Sequence, residues 1–249
     1  MGKWGSASAW FLCDGYNMVA NKLQALRYRA EAVTEPTHGI GDTWEEHTPA
    51  GMGRAELVQE GAFFDSSTSG GLVHQMYSSN VALATTSAER VVCLGMSAKT
   101  SGNDFVGLEG VFNTEYEVLA QNGKLTRANA TYVVDGALEH GTIIRTDDAS
   151  STATFYLDDA VATTGGGAAY VQVTALTVSG DTGGITITVN EASATSGSYT
   201  AIATFDAITG VGAWRTAATD DTILRYLSCA VASTGTISDL KAFVGVTRK

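Results

Sequence analysis

The sequence predicts a mainly β protein: an N-terminal β-barrel or sandwich holding one α-helix, then a C-terminal antiparallel β-sandwich. Three observations predict it. Apolar and polar residues alternate with period two along much of the chain, the pattern of strands with one buried face. In the last ~100 residues, short strand-like runs are separated by Gly, Ser, Thr or Asp roughly every 8–12 residues, the spacing of a sandwich or small barrel. Only one segment shifts to helical spacing. The 249 residues, 44% of them hydrophobic and 28 of them glycine, supply enough apolar material for one or two cores. The expected organisation is a first domain at 1–147 and a second at 148–249.

In chain order, the WFLC run around Cys13 is apolar and strand-like. From Leu23, LQALRYRAEAV reads as a strand with Leu26, Tyr28 and Ala30 on one side and Arg27, Arg29 and Glu31 on the other. Glu56–Phe64 repeats the style. The helix is expected at Gly71–Leu83, where Leu72, Val73, Met76, Tyr77 and Val81 share one face as core residues. Further strands are expected at Glu89–Met96, Phe105–Leu119 and Lys124–Val134. The polar RTDDASSTATF stretch then marks a joint. Beyond it, strands are expected at Thr154–Leu157, Tyr170–Val178, Gly184–Asn190, Tyr199–Ala207, Leu224–Ala230 and Leu240–Thr247. ITITVNEA is the clearest, with Ile185, Ile187 and Val189 opposing Thr186, Thr188 and Asn190. With only Pro36 and Pro49 present, any domain joint is made of Gly, Ser, Thr or Ala.

A net charge of −11 disfavours tight wrapping of nucleic acid, whose affinity comes largely from Lys and Arg neutralising phosphates. Cys13, Cys93 and Cys229 are far apart in apolar contexts and read as buried free thiols in a reducing compartment. The N-terminus lacks a basic start followed by an apolar run, and no apolar stretch approaches the ~20 residues of a membrane helix. Synthesis in a cytoplasm and no membrane insertion are expected.

No catalytic residue, cofactor site or metal site is expected. His38, His47, His74 and His140 sit in different segments, and neither G-x-S-x-G nor a P-loop occurs. Thr163–Gly167 (TTGGG) lacks dinucleotide-loop spacing and reads as a hairpin tip. The pairs Asp147–Asp148, Asp158–Asp159 and Asp220–Asp221 fall at turns, where Asp satisfies local backbone donors.

The stretch from Gly41, GDTWEEHT, packs Thr43, Trp44, Glu45, Glu46 and His47 together. On an extended chain Glu45 and His47 project to one side and Glu46 to the other, which is poor for joint chelation. An aromatic with a polar rim suits docking instead, so these five residues are the candidate subunit-contact loop; a solvated loop whose Trp folds back on its own domain is the plainer alternative. In the second domain Tyr156, Tyr170, Tyr199 and Tyr226 are mostly placed like core residues. Trp214, in an expected GVGAWRT turn, is the candidate for surface recognition.

The order of these features resembles the opening of tail tube proteins of long-tailed bacteriophages. The D-G-[FY]-[ND] type turn is matched by Asp14, Gly15, Tyr16 and Asn17, and the G-D-T-[WY] type loop by Gly41, Asp42, Thr43 and Trp44. The G-x-[FL]-[FY]-[DN] type strand end is matched by Gly61, Ala62, Phe63, Phe64 and Asp65. The resemblance covers roughly Trp4 to Arg145, and the last hundred residues are similar to accessory β-domains of some tail proteins. It implies a tail-tube-type β-barrel in a structural virion protein of the phage tail. Made in the host bacterial cytoplasm, the protein would form stacked hexameric rings with other tail proteins as partners. DNA would pass through an acidic lumen without tight or sequence-specific binding, and the Thr37–Gly51 loop with Trp44 would contact a neighbour. The alternatives are a capsid decoration or tail-completion protein and a carbohydrate-binding adhesion module.

Overall fold

The computed structural model describes residues 8–21, 23–36, 47–63, 89–136, 138–146, 152–158, 162–180, 184–218 and 222–248. The helix expected at Gly71–Leu83 and the joint expected near Asp148 lie outside them. Among the described residues the fold is mainly β, built of antiparallel sheets. In chain order the strands are β1 Trp10–Cys13, β2 Tyr16–Asn17, β3 Ala25–Pro36, β4 His47–Phe63, β5 Arg90–Gly95, β6 Asp104–Leu119, β7 Arg127–Val134 and β8 Leu138–Arg145. They continue with β9 Phe155–Asp158, β10 Gly167–Ser179, β11 Ile185–Ala192, β12 Thr200–Ile208, β13 Gly212–Ala217, β14 Tyr226–Ser233 and β15 Thr236–Arg248. A 3-10 turn, Met18–Asn21, follows β2.

The chain forms two compact units, each discontinuous in sequence. The first comprises 1–20, 90–109 and 137–249; the second comprises 21–89 and 110–136, so β6 gives its start to one and its remainder to the other.

The first unit contains a long sheet in the order β13-β10-β15-β8-β6-β5-β1-β2. Its strands are buried on both faces where their sequences are continuously apolar: every residue of WFLC in β1 is buried, as is almost all of RVVCLG in β5. On one face Trp10, Leu12, Cys93, Phe105, Ile143, Ala168, Tyr170 and Phe243 form a core. Phe105 stands edge-on to Tyr170 and to Phe243, with ring centroids 5.8 and 5.4 Å apart. The sheet curls until its ends meet. The Gln172 side chain on β10 accepts a hydrogen bond from Gly15 N–H (2.7 Å) and donates one to the Val91 carbonyl (2.9 Å). Asp14 and Gly15 have φ of 49° and 80°, the two left-handed residues of an Asp-Gly hairpin turn between β1 and β2. A Cβ at Gly15 would lie 2.3 Å from the Val173 carbonyl oxygen, so glycine is required both by the turn and by the closure.

The other face of β10 and β15 is covered by a second sheet, β12-β11-β14-β9. Val171, Val173, Val244 and Val246 meet Ile185, Ile187, Val189, Phe205, Leu227 and Cys229 in one core, a sandwich as expected for the C-terminal segment. The burial of β11 alternates as its sequence predicts, with Ile185, Ile187 and Val189 inward.

The second unit is a smaller sheet, β3-β4-β7-β6. Leu57, Tyr132 and Val111 are fully buried, β7 alternates residue by residue, and Arg27, Arg29 and Glu31 lie on the exposed face of β3. Three strands depart from the expectations. In the first unit β8 and β13 stand where no strand was expected, and β8 has no clean alternation in LEHGTIIR. In the second unit β4 begins at His47 rather than Glu56 and carries Pro49, which has no N–H to donate and which a strand accepts where the ladder needs no donor.

Candidate interaction surfaces

In the second unit β3 pairs with β4 over its whole length, from Ala25 opposite Glu60 to Pro36 opposite His47. On its other side, among the described residues, β4 is paired only from Ala55, opposite Val134, to Phe63, opposite Arg127. The stretch of β4 before Ala55 therefore forms, with the end of β3, a two-stranded ribbon of roughly 25 Å at about 3.3 Å per residue. Two strands alone bury little apolar surface and are marginally stable in water, and among the described residues β3 pairs only with β4, which makes it a long edge strand, a template for further pairing. Residues 37–46 join the ribbon's end. Thr43, Trp44, Glu45 and Glu46 lie in that connection, outside the described residues, while His47 opens β4.

The opposite end of the same sheet is the β6–β7 connection, next to where β4 finishes, since Phe63 and Leu119 both lie opposite Arg127. Here Val118, Leu119 and Leu125 are exposed, Leu125 to 70%. Leu119, Gln121, Lys124, Leu125 and Arg127 line a hollow of about 400 Å³. An apolar floor rimmed by cations suits an aromatic flanked by acids.

In the first unit the sequence hid a buried polar network. Glu139 on β8, Thr247 on β15, Tyr170 on β10 and Arg215 on β13 stand on four neighbouring strands. Glu139 accepts hydrogen bonds from the Tyr170 hydroxyl (2.8 Å), the Thr247 hydroxyl (3.1 Å) and the Arg215 guanidinium (2.8 and 3.1 Å). Arg215 also pairs with Glu109 at 2.8 Å. Burial by itself raises the Glu139 carboxyl, but the hydrogen bonds from Arg215, Tyr170 and Thr247 outweigh it and hold the group below the ordinary carboxylate range. With every acceptor satisfied and nothing reactive beside it, the cluster locks strands together. Its only sequence signal is polar residues inside apolar strands.

Trp214, expected in a turn, stands in β13 opposite Val171, half-buried against the sandwich core. Cys13, Cys93 and Cys229 are buried thiols; burial pushes all three up, Cys229 to about 12. Among the described residues no three His, Cys, Asp or Glu side chains group as a metal site would require, and no helix is long and apolar enough to cross a membrane.

No family model matches the chain, and no curated protein matches it. Among solved structures, it is similar to a chain from the virion of a native gene transfer agent particle, at 13% identity and a TM-score of 0.40, over 55% of this chain and 97% of that one. It is similar to a chain of an extracellular contractile injection system sheath-tube complex, at 7% identity and a TM-score of 0.40, over 56% and 92%. A third is the Dit (gp 19.1) protein of SPP1, described as a hub adsorption apparatus paradigm, at 10% identity and a TM-score of 0.37, over 96% and 98%.

Proposed function

We propose that the chain is a structural protein of a phage tail, assembling through its second unit into stacked hexameric rings that line a conduit for DNA. The observation that carries this reading is the polarity of the β3-β4-β7-β6 sheet. One end extends as a two-stranded ribbon, and the other bears exposed Leu119 and Leu125 beside Lys124 and Arg127. Two different, complementary ends make a heterologous, head-to-tail contact, the kind that generates closed rings or continuing stacks. Trp44 with Glu45 and Glu46 of one copy, set against the leucines and cations of another, gives that contact an aromatic anchor and matched charge.

The sequence motifs at Asp14–Asn17, Gly41–Trp44 and Gly61–Asp65 support the same reading. So does the net charge of −11, since an acidic lumen lets phosphates pass without sticking. The role is not enzymatic. Its partners are further copies and other tail proteins, and its place is the virion.

Electron microscopy of the purified full chain, with solution mass measured in parallel, tests the proposal. Uniform rings or tubes with a central channel are expected. Trp44→Ala and Leu125→Ser should each raise the concentration needed for assembly, Trp44→Ala by an amount equivalent to about 2 kcal/mol or more. A chain that stays monomeric when concentrated, or a Trp44→Ala variant that assembles unchanged, would overturn it.

A further inference from the structure

The four-stranded sheet buries one face in the sandwich core and leaves the other outward. Alternation along β9 sends Phe155 and Leu157 to the core and Tyr156 and Asp158 out. Tyr156 is 65% exposed. The Tyr199 ring, just before β12, stands 5.6 Å from it at 66°. Opposite Asp158 in register is Tyr226, whose ring lies 5.2 Å beneath the Arg225 guanidinium. Arg225 Nε donates to Asp158 Oδ1 at 2.7 Å. Further along the same face the Asn190 amide donates to Ser228, which lies directly opposite Tyr156. The Tyr199 phenol is raised by burial first and then by Tyr156, Asp158 and Tyr226, which marks the three tyrosines and the aspartate as one cluster.

What this patch can hold follows from its chemistry. The exposed Tyr156 ring, with the half-buried Tyr199 ring beside it, offers a flat apolar face at little conformational cost, with a hydroxyl at the rim. A pyranose is matched to such a surface: its C–H face stacks on a ring while its hydroxyls seek donors and acceptors at the edge. Asp158 supplies acceptors, Arg225 donors, and Asn190 both. Beyond the rings the face carries Thr186, Thr188, Ala201, Thr204 and Asp206, with Ser228 buried beneath, rather than large aliphatic side chains, unlike the apolar centre of a protein interface. Asp158 and Arg225 neutralise each other, so the aromatic end is locally uncharged within a chain of −11.

We infer that the outer face of the β12-β11-β14-β9 sheet binds neutral oligosaccharide, with Tyr156 and Tyr199 as the stacking platform and Asp158 and Arg225 as the hydroxyl-binding pair. A tail protein with such a face would contact a glycan outside the particle, but the inference stands on this sheet alone and does not need ring assembly.

The test is binding of the full chain to an array of neutral hexose and N-acetylhexosamine oligosaccharides with acidic glycans alongside, followed by titration of the strongest neutral hit. Neutral glycans should be retained, Tyr156→Ala should weaken the titrated hit about tenfold or more, and Tyr156→Phe should bind within about threefold of the parent chain. Tyr156 is exposed, so its removal leaves the fold intact, and unchanged circular dichroism checks this. Leu125→Ser, on the other unit, should bind like the parent chain even if it no longer assembles. That separates this site from the assembly surface. Retention of acidic glycans only, no retention at all, or retention indifferent to Tyr156→Ala would overturn the inference. So would a Tyr156→Ala variant whose oligomeric mass changes while glycan retention does not, which would make the face a contact between copies.

Discussion

The two units solve the same problem, the free edge of a β-sheet, in opposite ways. The first turns its long sheet back on itself, joins the ends through Gly15, Gln172 and Val91, and covers the remaining face with a second sheet. The second leaves β3 as an edge and extends a ribbon that no third strand supports among the described residues. Closure abolishes sites for further pairing, whereas an open edge keeps them. Under the proposed function, stability belongs to the first unit and association to the second, and substitutions in each should separate the two properties.

The largest effect is expected where the closed unit buries charge. Arg215→Ala leaves Glu139, at 5% exposure, without its main partner, and a broken buried pair costs about 3–5 kcal/mol. Denaturant unfolding of the variant should show that loss. The pH dependence has a definite sign. Glu139 is held below its unfolded value of roughly 4.3, so its contribution is complete above that pH and disappears as pH falls through the lower folded value. Glu139→Gln should flatten the acid limb of the stability curve below about pH 4. An acid limb identical to that of the parent chain would show that the network is not what couples these strands to protons.

Next is the closure itself. Gly15→Ala places a methyl 2.3 Å from the Val173 carbonyl oxygen on a backbone at φ 80°, and should destabilise by roughly 1–3 kcal/mol. A comparable Gly→Ala change in the open unit is informative at Gly123, also at positive φ (74°) but with nothing within 4 Å of the added Cβ. It should cost only the conformational part, roughly 1 kcal/mol. Equal losses at the two positions would mean that the sheet closure adds nothing beyond turn geometry.

The same contrast explains what could be read from the sequence. Strands with one wet face, such as β7 and β11, announce themselves by alternation, and the Asp14-Gly15 turn between β1 and β2 matches the motif that the family resemblance supplied. Strand pairing did not. Nothing local in LEHGTIIR says that Gly141 will lie opposite Thr247, more than a hundred positions away, or that GAWRTA is a strand lying along β10 rather than a turn. The Glu139 network was hidden for the same reason, since its members meet only when four strands align. On the outer sheet, alternation in FYLD sends Tyr156 outward, but its approach to Tyr199 depends on strand order in space.

The smallest effect should come from the open unit's exposed ion pair, Arg27 with Glu60, across the β3–β4 ladder. Both side chains are substantially solvated, 68% and 43% exposed, so water and salt already screen the attraction and holding two long side chains in place costs entropy. Arg27→Ala should change unfolding free energy by no more than about 0.5–1 kcal/mol, with less change at high salt. Its value is diagnostic in assembly. Arg27 lies on the edge strand, so a larger effect on ring or tube formation than on unfolding would place β3 at a contact between copies. Equal, small effects on both would leave β3 a solvent edge and confine association to the ends of the sheet.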